Sequence, residues 1–329
     1  MVIPFRNEAE NLPRLLSSME SQTYPRDKFE VILINDHSDD NSESVIAAHK
    51  GKLQLKLINL SAGTSGKKNA ITLGVENSSG ELIAGTDADC THATGWLEVL
   101  AGEFDNATGL VTGPVTLETN GKILQQMQLL EHTGLSLSGA GLIANDHPVI
   151  CSGANIAYRK SLFQKINGFN SQNTLTSGDD EQLMHKIFYD EGKAVKFIYN
   201  RECLVTTSPQ TRTGDFLQQR RRWASKSFNY RPKTILILTP LFLFFASFVV
   251  MLIYAISSPV FYALPFLMML LIKTAADFTV LYQSVPVYMG KFPAISLFLA
   301  ELLHPFYIVY SVLAGVFAGF NWKNRSHRK

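Results

Sequence analysis

The chain has few cysteines and no dominant charge of either sign. Cys90, Cys151 and Cys203 are its three cysteines, and no two stand in a Cys-x-x-Cys spacing. That spacing, usual for zinc, is missing. An odd, scattered set suits a reducing compartment rather than a disulfide scaffold, and Cys90 reads as a small buried filler rather than a reactive thiol. The 30 Lys and Arg stand against 28 Asp and Glu, for a net charge of +2. The basic footprint of a dedicated nucleic-acid binder is therefore missing. No signal-peptide pattern is read ahead of the first strand. The chain opens on Met1-Val2-Ile3-Pro4, almost inside a strand, where strands usually run about five residues. The expectation is a longer natural N-terminus, with a further membrane segment as one candidate for its content.

The 329 residues can hold one large domain plus an appendage. From Thr234 to Phe320 the chain is nearly uncharged, while most of its charges lie earlier. A soluble part (1–233), a membrane part (234–320) and a basic tail (321–329) follow. Of three hydrophobic stretches, 235–256 and 259–282 reach the roughly twenty residues a bilayer span needs, and 293–320 is a third candidate, for two to three membrane helices. Lys273 and Asp277, four apart on a helix, face each other and can neutralise one another. Glu301 and His304-Pro305 suggest a kink or an interior-facing polar site. Packing against neighbouring helices is the favoured reading for these polar pairs, ahead of transport or catalysis. Arg220, Arg221, Arg222, Lys226, Arg231 and Lys233 crowd ahead of the first span, which places the soluble part in the cytoplasm by the positive-inside rule. The tail from Lys323 to Lys329 is also basic and asks for the same side. Three spans cannot satisfy both ends, so either one stretch is re-entrant or interfacial, or the rule fails at one end.

Ahead of the membrane part, short apolar runs alternate with helical patterns. Residues 2–4, 29–35, 53–60 and 81–87 read as strands. Residues 8–22, 38–50 and 67–77 read as helices, the first with Leu12, Leu15, Leu16 and Met19 on one face. Asp39, Asp40 and Glu43 enrich the first turn of the second. This alternation predicts a doubly wound α/β sheet, with ligands outside the carboxyl ends of its parallel strands. Asp36 and Asp87 both fall at such ends. Beyond Gly95 the pattern becomes mixed: strands over 110–117 and 152–158, helices over 123–138 and 180–191, and a basic helix over 216–228.

Three polar clusters carry the chemistry. Asp87-Ala88-Asp89 follows a strand, where two carboxylates can divide the work between a nucleotide and a divalent cation. Asp36 there can accept hydrogen bonds from a base or ribose. Gly66-Lys67 opens a helix after a Ser/Gly-rich loop, so backbone donors and Lys67 can meet phosphate, against the alternative of a solvated lysine pair. Asp179-Asp180 opens another helix, either as capping residues or with one of them as a general base for an acceptor hydroxyl. Gln219-Arg220-Arg221-Arg222-Trp223 stands just before the first span. There an indole can stack on a sugar ring, or else anchor at the bilayer interface. In this order the clusters point to a membrane-attached enzyme that transfers a sugar from a nucleotide diphosphate.

At these residues the sequence resembles the family 2 inverting glycosyltransferases, which use the GT-A (nucleotide-diphospho-sugar transferase) fold, a doubly wound mixed sheet. The resemblance runs from Val2 to about Trp223. Val2-Ile3-Pro4-Phe5-Arg6-Asn7-Glu8 is similar to the family's opening strand and turn, and it implies nucleotide-sugar contacts for Pro4, Glu8 and Asp36. Gly66-Lys67 resembles its Gly-Lys motif, which adds Lys67 to the donor site. Asp87-Ala88-Asp89 resembles its metal and diphosphate motif, implying Asp89 and Asp87 as holders of Mg2+ or Mn2+. Ser152-Gly153-Ala154-Asn155 with Tyr158-Arg159 resembles its acceptor-side strand, implying acceptor contacts for Gly153 and Asn155. Asp179-Asp180 stands where the family usually has Glu-Asp, so Asp180 is implied as the base and Asp179 as an acceptor contact. Gln219, Arg222 and Trp223 match its Gln-x-x-Arg-Trp motif on the acceptor side. Asp179 in place of Glu, and Gln182 where Asp often stands, depart from the pattern.

The implied activity is metal-assisted, inverting transfer from a UDP-sugar to a lipid-linked or saccharide hydroxyl at the cytoplasmic face of a membrane. Partner membrane proteins of an envelope-glycan pathway are a further expectation; nucleic acid is not. Three alternatives stand beside it: a processive polysaccharide synthase, a nucleotidyltransferase and a non-catalytic scaffold. Two or three helices are few for a polymer channel. Pro4-Phe5-Arg6-Asn7-Glu8 replaces the Gly-rich basic loop a nucleotidyltransferase would show. The intact Asp89, Asp180 and Trp223 argue against a scaffold.

Overall fold

The computed structural model describes residues 1–169, 178–225, 230–317, 320–322 and 325–327. Ser177, Lys226, Phe228 and, in the tail, Lys323, Asn324, Arg328 and Lys329 lie outside them. The chain forms two compact units. The first comprises Met1–Glu118, Leu135–Ser208 and Pro286–Met289; the second comprises Thr119–Gly134, Pro209–Val285 and Gly290–Lys329.

The first unit begins with β1 (Val2–Phe5), α1 (Leu12–Glu20), β2 (Val31–Asn35), α2 (Ser42–Ala48), β3 (Leu55–Asn59), α3 (Lys67–Glu76) and β4 (Leu82–Gly85). Next come β5 (Thr91–His92), α4 (Trp96–Gly102), β6 (Thr108–Thr112), β7 (Val115–Leu117) and α5 (Ile123–Ala144), a helix shared by both units. Then follow β8 (Ile156–Arg159), α6 (Lys160–Lys165), α7 (Asp179–His185), β9 (Ala194–Phe197) and β10 (Val205–Thr207). The apolar stripe read on α1 is its core face: Leu12, Leu15, Leu16 and Met19 are all buried. All five residues of β2 are buried, as expected of a strand covered on both faces.

The main sheet has the order β3-β2-β1-β4-β8-β6-β9. β1, β2, β3 and β4 run parallel, while β8 runs antiparallel to both β4 and β6. The chain winds outward from β1 through β2 to β3, then returns to place β4 on the other side of β1. That reversal is a topological switch point, where an open sheet leaves a crevice at its carboxyl ends. β5, β10 and β7 form a second, three-stranded sheet.

Several boundaries differ from the sequence reading. The strand read over 110–117 is two strands in two sheets, because Pro114 has no N–H to continue the ladder and β7 leaves for the small sheet. Residues 152–155 make a turn, closed by Asn155 N–H on the Ser152 carbonyl at 3.0 Å, so β8 starts only at Ile156. α2 starts at Ser42 rather than at residue 38, leaving Asp39 and Asp40 in the preceding loop. α5 runs on to Ala144, and α7 widens into a π-helical turn over Lys186–Asp190.

In the second unit α8 (Thr213–Ser225) is followed by α9 (Pro232–Ser257) and α10 (Pro259–Gln283). Beyond α11 (Val285–Tyr288), in the first unit apart from Val285, come α12 (Ala294–Phe317) and a hairpin of β11 (Phe320–Trp322) with β12 (Arg325–His327). Among the described residues three helices, α9, α10 and α12, are long and apolar enough to cross a membrane. Leu236, Val260, Phe261, Ile272 and Ile295 on them are largely exposed. Lys273 Nζ donates to Asp277 Oδ2 at 2.8 Å and to Glu301 Oε2, and stands 3.5 Å from His304 Nδ1. The polar residues read in separate stretches thus form one cluster inside the helices.

Candidate active site

The carboxyl ends of β1 and β2 turn through left-handed residues, Asn7 (φ 55°) and His37 (φ 56°), residue types that tolerate this region. The two loops are laced together. Asn7 N–H donates to Ser38 Oγ (3.0 Å), Glu8 N–H to Ser42 Oγ (2.9 Å) and Ala9 N–H to Asp40 Oδ2 (3.0 Å). Asp39 N–H returns a bond to Asn7 Oδ1 at 3.0 Å. Asp40 thus ties the loops together, and its Oδ1 also accepts from Ser42 N–H at 3.0 Å at the start of α2. The lacing fixes the backbone on which Glu8 and Asp36 are carried. Asn11 Nδ2 donates to the Glu8 carboxylate at 2.7 Å.

Asp36 is nearly enclosed. Its Oδ2 accepts from Gly66 N–H at 3.0 Å, while Oδ1 is buried with no donor among the described residues. A buried acceptor left open costs about 1–3 kcal/mol, so a donor group on a ligand fits there. Gly66 directly precedes α3, whose first residue, Lys67, places Nζ 2.5 Å from Asp87 Oδ1. Burial opposes the Lys67 charge, but Asp87 first, then Asp180 and Asp179, outweigh it and raise its pKa.

Asp89 is held above the usual carboxylate range, by burial first and then by the charges of Asp87 and Glu8. Cys90 Sγ–H, 3.5 Å from Asp89 Oδ1, and the Thr207 hydroxyl on β10 pull weakly the other way. Sequence reading missed Thr207, whose strand pairs with β5 just beyond the Asp-x-Asp turn. Asp89, set among the charges of Asp87 and Glu8, makes a place suited to a divalent cation. Among the described residues these three carboxylates do not supply three ligand atoms within 4.8 Å of one another, as Asp277, Glu301 and His304 do. A cation at Asp87 and Asp89 would complete its shell from phosphate and water, as Mg2+ commonly does. In the Asp277 cluster the Lys273 ammonium already serves as the cation.

Gly178 (φ 85°) takes a left-handed conformation that turns the chain into α7, which begins on Asp179 and Asp180. Asp180 Oδ2 accepts from Gly153 N–H at 2.7 Å, and its Oδ1 accepts from Glu181 N–H at 2.9 Å. A Cβ on Gly153 would stand 3.3 Å from Asp180 Oδ2 and 3.5 Å from Lys67 Nζ, so glycine permits this close approach. Asp179 is more enclosed; burial leads in raising its pKa, against Lys67 and against Lys68, whose Nζ is 3.6 Å away. Lys67 bonds Asp87 and also acts on Asp179 and Asp180, while Lys68 pairs with Asp179.

Asn155 corrects the sequence reading, which placed it at the acceptor. It has no exposed surface, and its amide is saturated inside the protein. Oδ1 accepts from Trp96 Nε1 at 2.8 Å, and Nδ2 donates to the carbonyls of Pro114 (2.9 Å) and Cys203 (2.8 Å). It fastens three distant segments. Pro4 lies in β1, paired with Ile34 of β2. Gln219, Arg222 and Trp223 lie on α8 in the second unit, where Gln219 Oε1 accepts from Arg220 Nη1 at 2.5 Å.

The profile of glycosyl transferase family 2 matches residues 1–167, just over half of the 329. The chain belongs to glycosyl transferase family 2. It is a glycosyltransferase with a mixed-sheet GT-A fold, followed among the described residues by three apolar helices able to span a membrane. This family 2 chain is 27% identical to the poly-beta-1,6-N-acetyl-D-glucosamine synthase of Staphylococcus epidermidis over 226 residues, 66% of this chain and 52% of that protein. It is 34% identical to the glycosyltransferase AglE of Haloferax volcanii over 98 residues, 30% of this chain and 32% of that protein. The chain spans about a third to a half of the length of these curated relatives. In fold it is similar to the mannosyltransferase PcManGT of Pyrobaculum calidifontis, solved with GDP-Man and Mn2+. The TM-score is 0.57 at 20% identity, covering 96% of this chain and 86% of that one. The matched stretch holds the opening strand, Gly66-Lys67, Asp87-Ala88-Asp89 and Gly153, while Asp180 and the α8 motif lie beyond it.

Proposed function

We propose that this glycosyltransferase moves a sugar from a UDP-sugar to a lipid-linked or saccharide hydroxyl by inverting, metal-assisted single displacement at the cytoplasmic face of a membrane. The observation that carries this reading is the convergence of Lys67, Asp87, Gly153 and Asp180 beside the switch point of the sheet. Asp36 and Glu8 hold the nucleoside, with the open Asp36 Oδ1 taking a donor from base or ribose. Lys67 exchanges its partner Asp87 for donor phosphate. Asp87 and Asp89 would hold a divalent cation, which when bound would neutralise negative charge on the diphosphate.

Asp180 is the general base. Bonds from Gly153 and Glu181 fix the plane of its carboxylate, and each oxygen keeps a further lone pair. The acceptor hydroxyl gives its proton to Asp180 as its oxygen bonds the anomeric carbon. The bond from that carbon to the diphosphate oxygen breaks, and the nucleoside diphosphate leaves with the electron pair. One displacement inverts the anomeric centre, and no second carboxylate nucleophile is required. Asp179, Gln219, Arg222 and Trp223 serve the acceptor, the last by stacking its indole on a sugar ring.

The three apolar helices and the basic residues ahead of α9 support membrane attachment with the catalytic part in the cytoplasm. The single-addition reading is preferred to processive synthesis, the three apolar helices among the described residues being few for a polymer channel. The GDP-Man bound by PcManGT leaves the choice of nucleotide to experiment. Incubating membranes that contain the chain with a panel of radiolabelled nucleotide sugars tests the proposal. Transfer from a UDP-sugar into lipid-extractable or saccharide product is expected; transfer from GDP-sugars alone would overturn the donor assignment.

A further inference from the structure

Arg220 occupies one of the two unspecified positions between Gln219 and Arg222, yet it is the most enclosed residue of that run. Its side chain is 4% exposed, as is that of its partner Glu131 on α5. The pairing is bidentate: Nε donates to Glu131 Oε1 and Nη2 to Oε2, each at 2.7 Å. Nη1 donates to Gln219 Oε1 at 2.5 Å. The flat guanidinium also lies over two rings, with Cζ 4.5 Å from the centre of Phe216 and 4.3 Å from that of Trp223. Phe216 precedes Arg220 by four residues and Trp223 follows it by three, so helical spacing puts both rings beside one cation. His132, next to Glu131 on α5, meets the Trp223 ring edge-on at 6.3 Å. Phe216 in turn meets Tyr307 of α12 at 5.3 Å, and the Tyr307 hydroxyl bonds Glu131.

We infer that Arg220 and Glu131 are positioning residues that clamp the Trp223 indole in one orientation. The link to acceptor binding rests on the reading of Trp223 proposed above; the clamp itself does not. The chemistry explains why arginine is needed. Only a planar, delocalised cation can give two parallel bonds to a carboxylate while its faces cover aromatic rings. Lysine keeps the charge and loses the fork and the plane. Glutamine at 131 keeps the shape and removes the charge that holds the fork.

The test uses the full chain labelled with 5-fluorotryptophan. Its three tryptophans, Trp96, Trp223 and Trp322, give three fluorine resonances, and Trp223→Phe assigns one of them. Arg220→Lys and Glu131→Gln are each expected to shift and broaden the Trp223 line while leaving the Trp96 line, buried in the first unit, in place. In the same preparations acceptor KM is expected to rise about tenfold for Arg220→Lys, with donor KM held within about twofold. The exchange Arg220→Glu with Glu131→Arg is expected to recover part of the acceptor KM. An unmoved Trp223 line in both single variants would overturn the clamp, whereas equal changes in donor and acceptor KM would overturn its link to the acceptor. A normal acceptor KM in Trp223→Ala would instead sink the acceptor reading and leave the clamp standing.

Discussion

Gly153 N–H donates to Asp180 Oδ2 at 2.7 Å, joining the turn before β8 to the first turn of α7. This bond sets where the proposed base stands. A methyl group on Gly153 would come within 3.3 Å of the same oxygen. Gly153→Ala is expected to lower kcat about tenfold through displacement of the carboxylate, with donor affinity retained. Steady-state kinetics and a donor-binding titration on the purified chain check it.

Asp180→Asn keeps the shape at the start of α7 and removes proton acceptance. Turnover is expected to fall about a hundredfold to ten-thousandfold while nucleotide-sugar binding survives. Asp179→Asn should be the milder variant. The reverse ranking would move the base by one residue.

Asp89 stands among like charges that a cation would relieve. Asp89→Asn is expected to remove nearly all transfer, a loss of roughly several kcal/mol of transition-state stabilisation. Wild-type activity should vanish in excess chelator and return with Mg2+ or Mn2+. Undiminished transfer in chelator would end the metal assignment.

Asn155→Ala separates a structural role from an acceptor contact. The substitution orphans Trp96 Nε1 and the carbonyls of Pro114 and Cys203. A stability loss of about 2–4 kcal/mol is expected, with acceptor KM unchanged in the folded fraction. Denaturation followed by the Trp96 signal, beside kinetics, decides between the two.

His92 gives a pH signature. Its ring packs on Trp96 at 4.2 Å and lies 2.8 Å from Thr86 Oγ1, and burial holds its pKa at about 3 against an ordinary 6.5. The folded pKa lies below the unfolded one, so unfolding takes up a proton. The stability this ring contributes is full above about pH 6.5 and is lost as pH falls toward about 3, by up to about 1.4 kcal/mol per pH unit. His92→Gln should flatten that slope in melts of the purified chain.

Local chemistry made much of this legible in the sequence. The buried stripe of α1, the alternation that builds β1 to β4, and the polar turns ending those strands all follow from residue patterns within a dozen positions. What was missed depends on distant partners. Asn155 has the residue type of a binding group, but its partners come from Trp96, Pro114 and Cys203. Arg220 looked like one more surface charge until Glu131, 89 residues away, enclosed it. The split between β6 and β7 was marked by Pro114, a signal outweighed by the apolar run around it.

The anomeric configuration of the product tests the central claim most directly. The purified chain would be given an α-linked UDP-sugar, a divalent cation and an acceptor, and proton NMR would read the new linkage. A β-linked product is expected from one displacement with Asp180 as base; an α-linked product would contradict it.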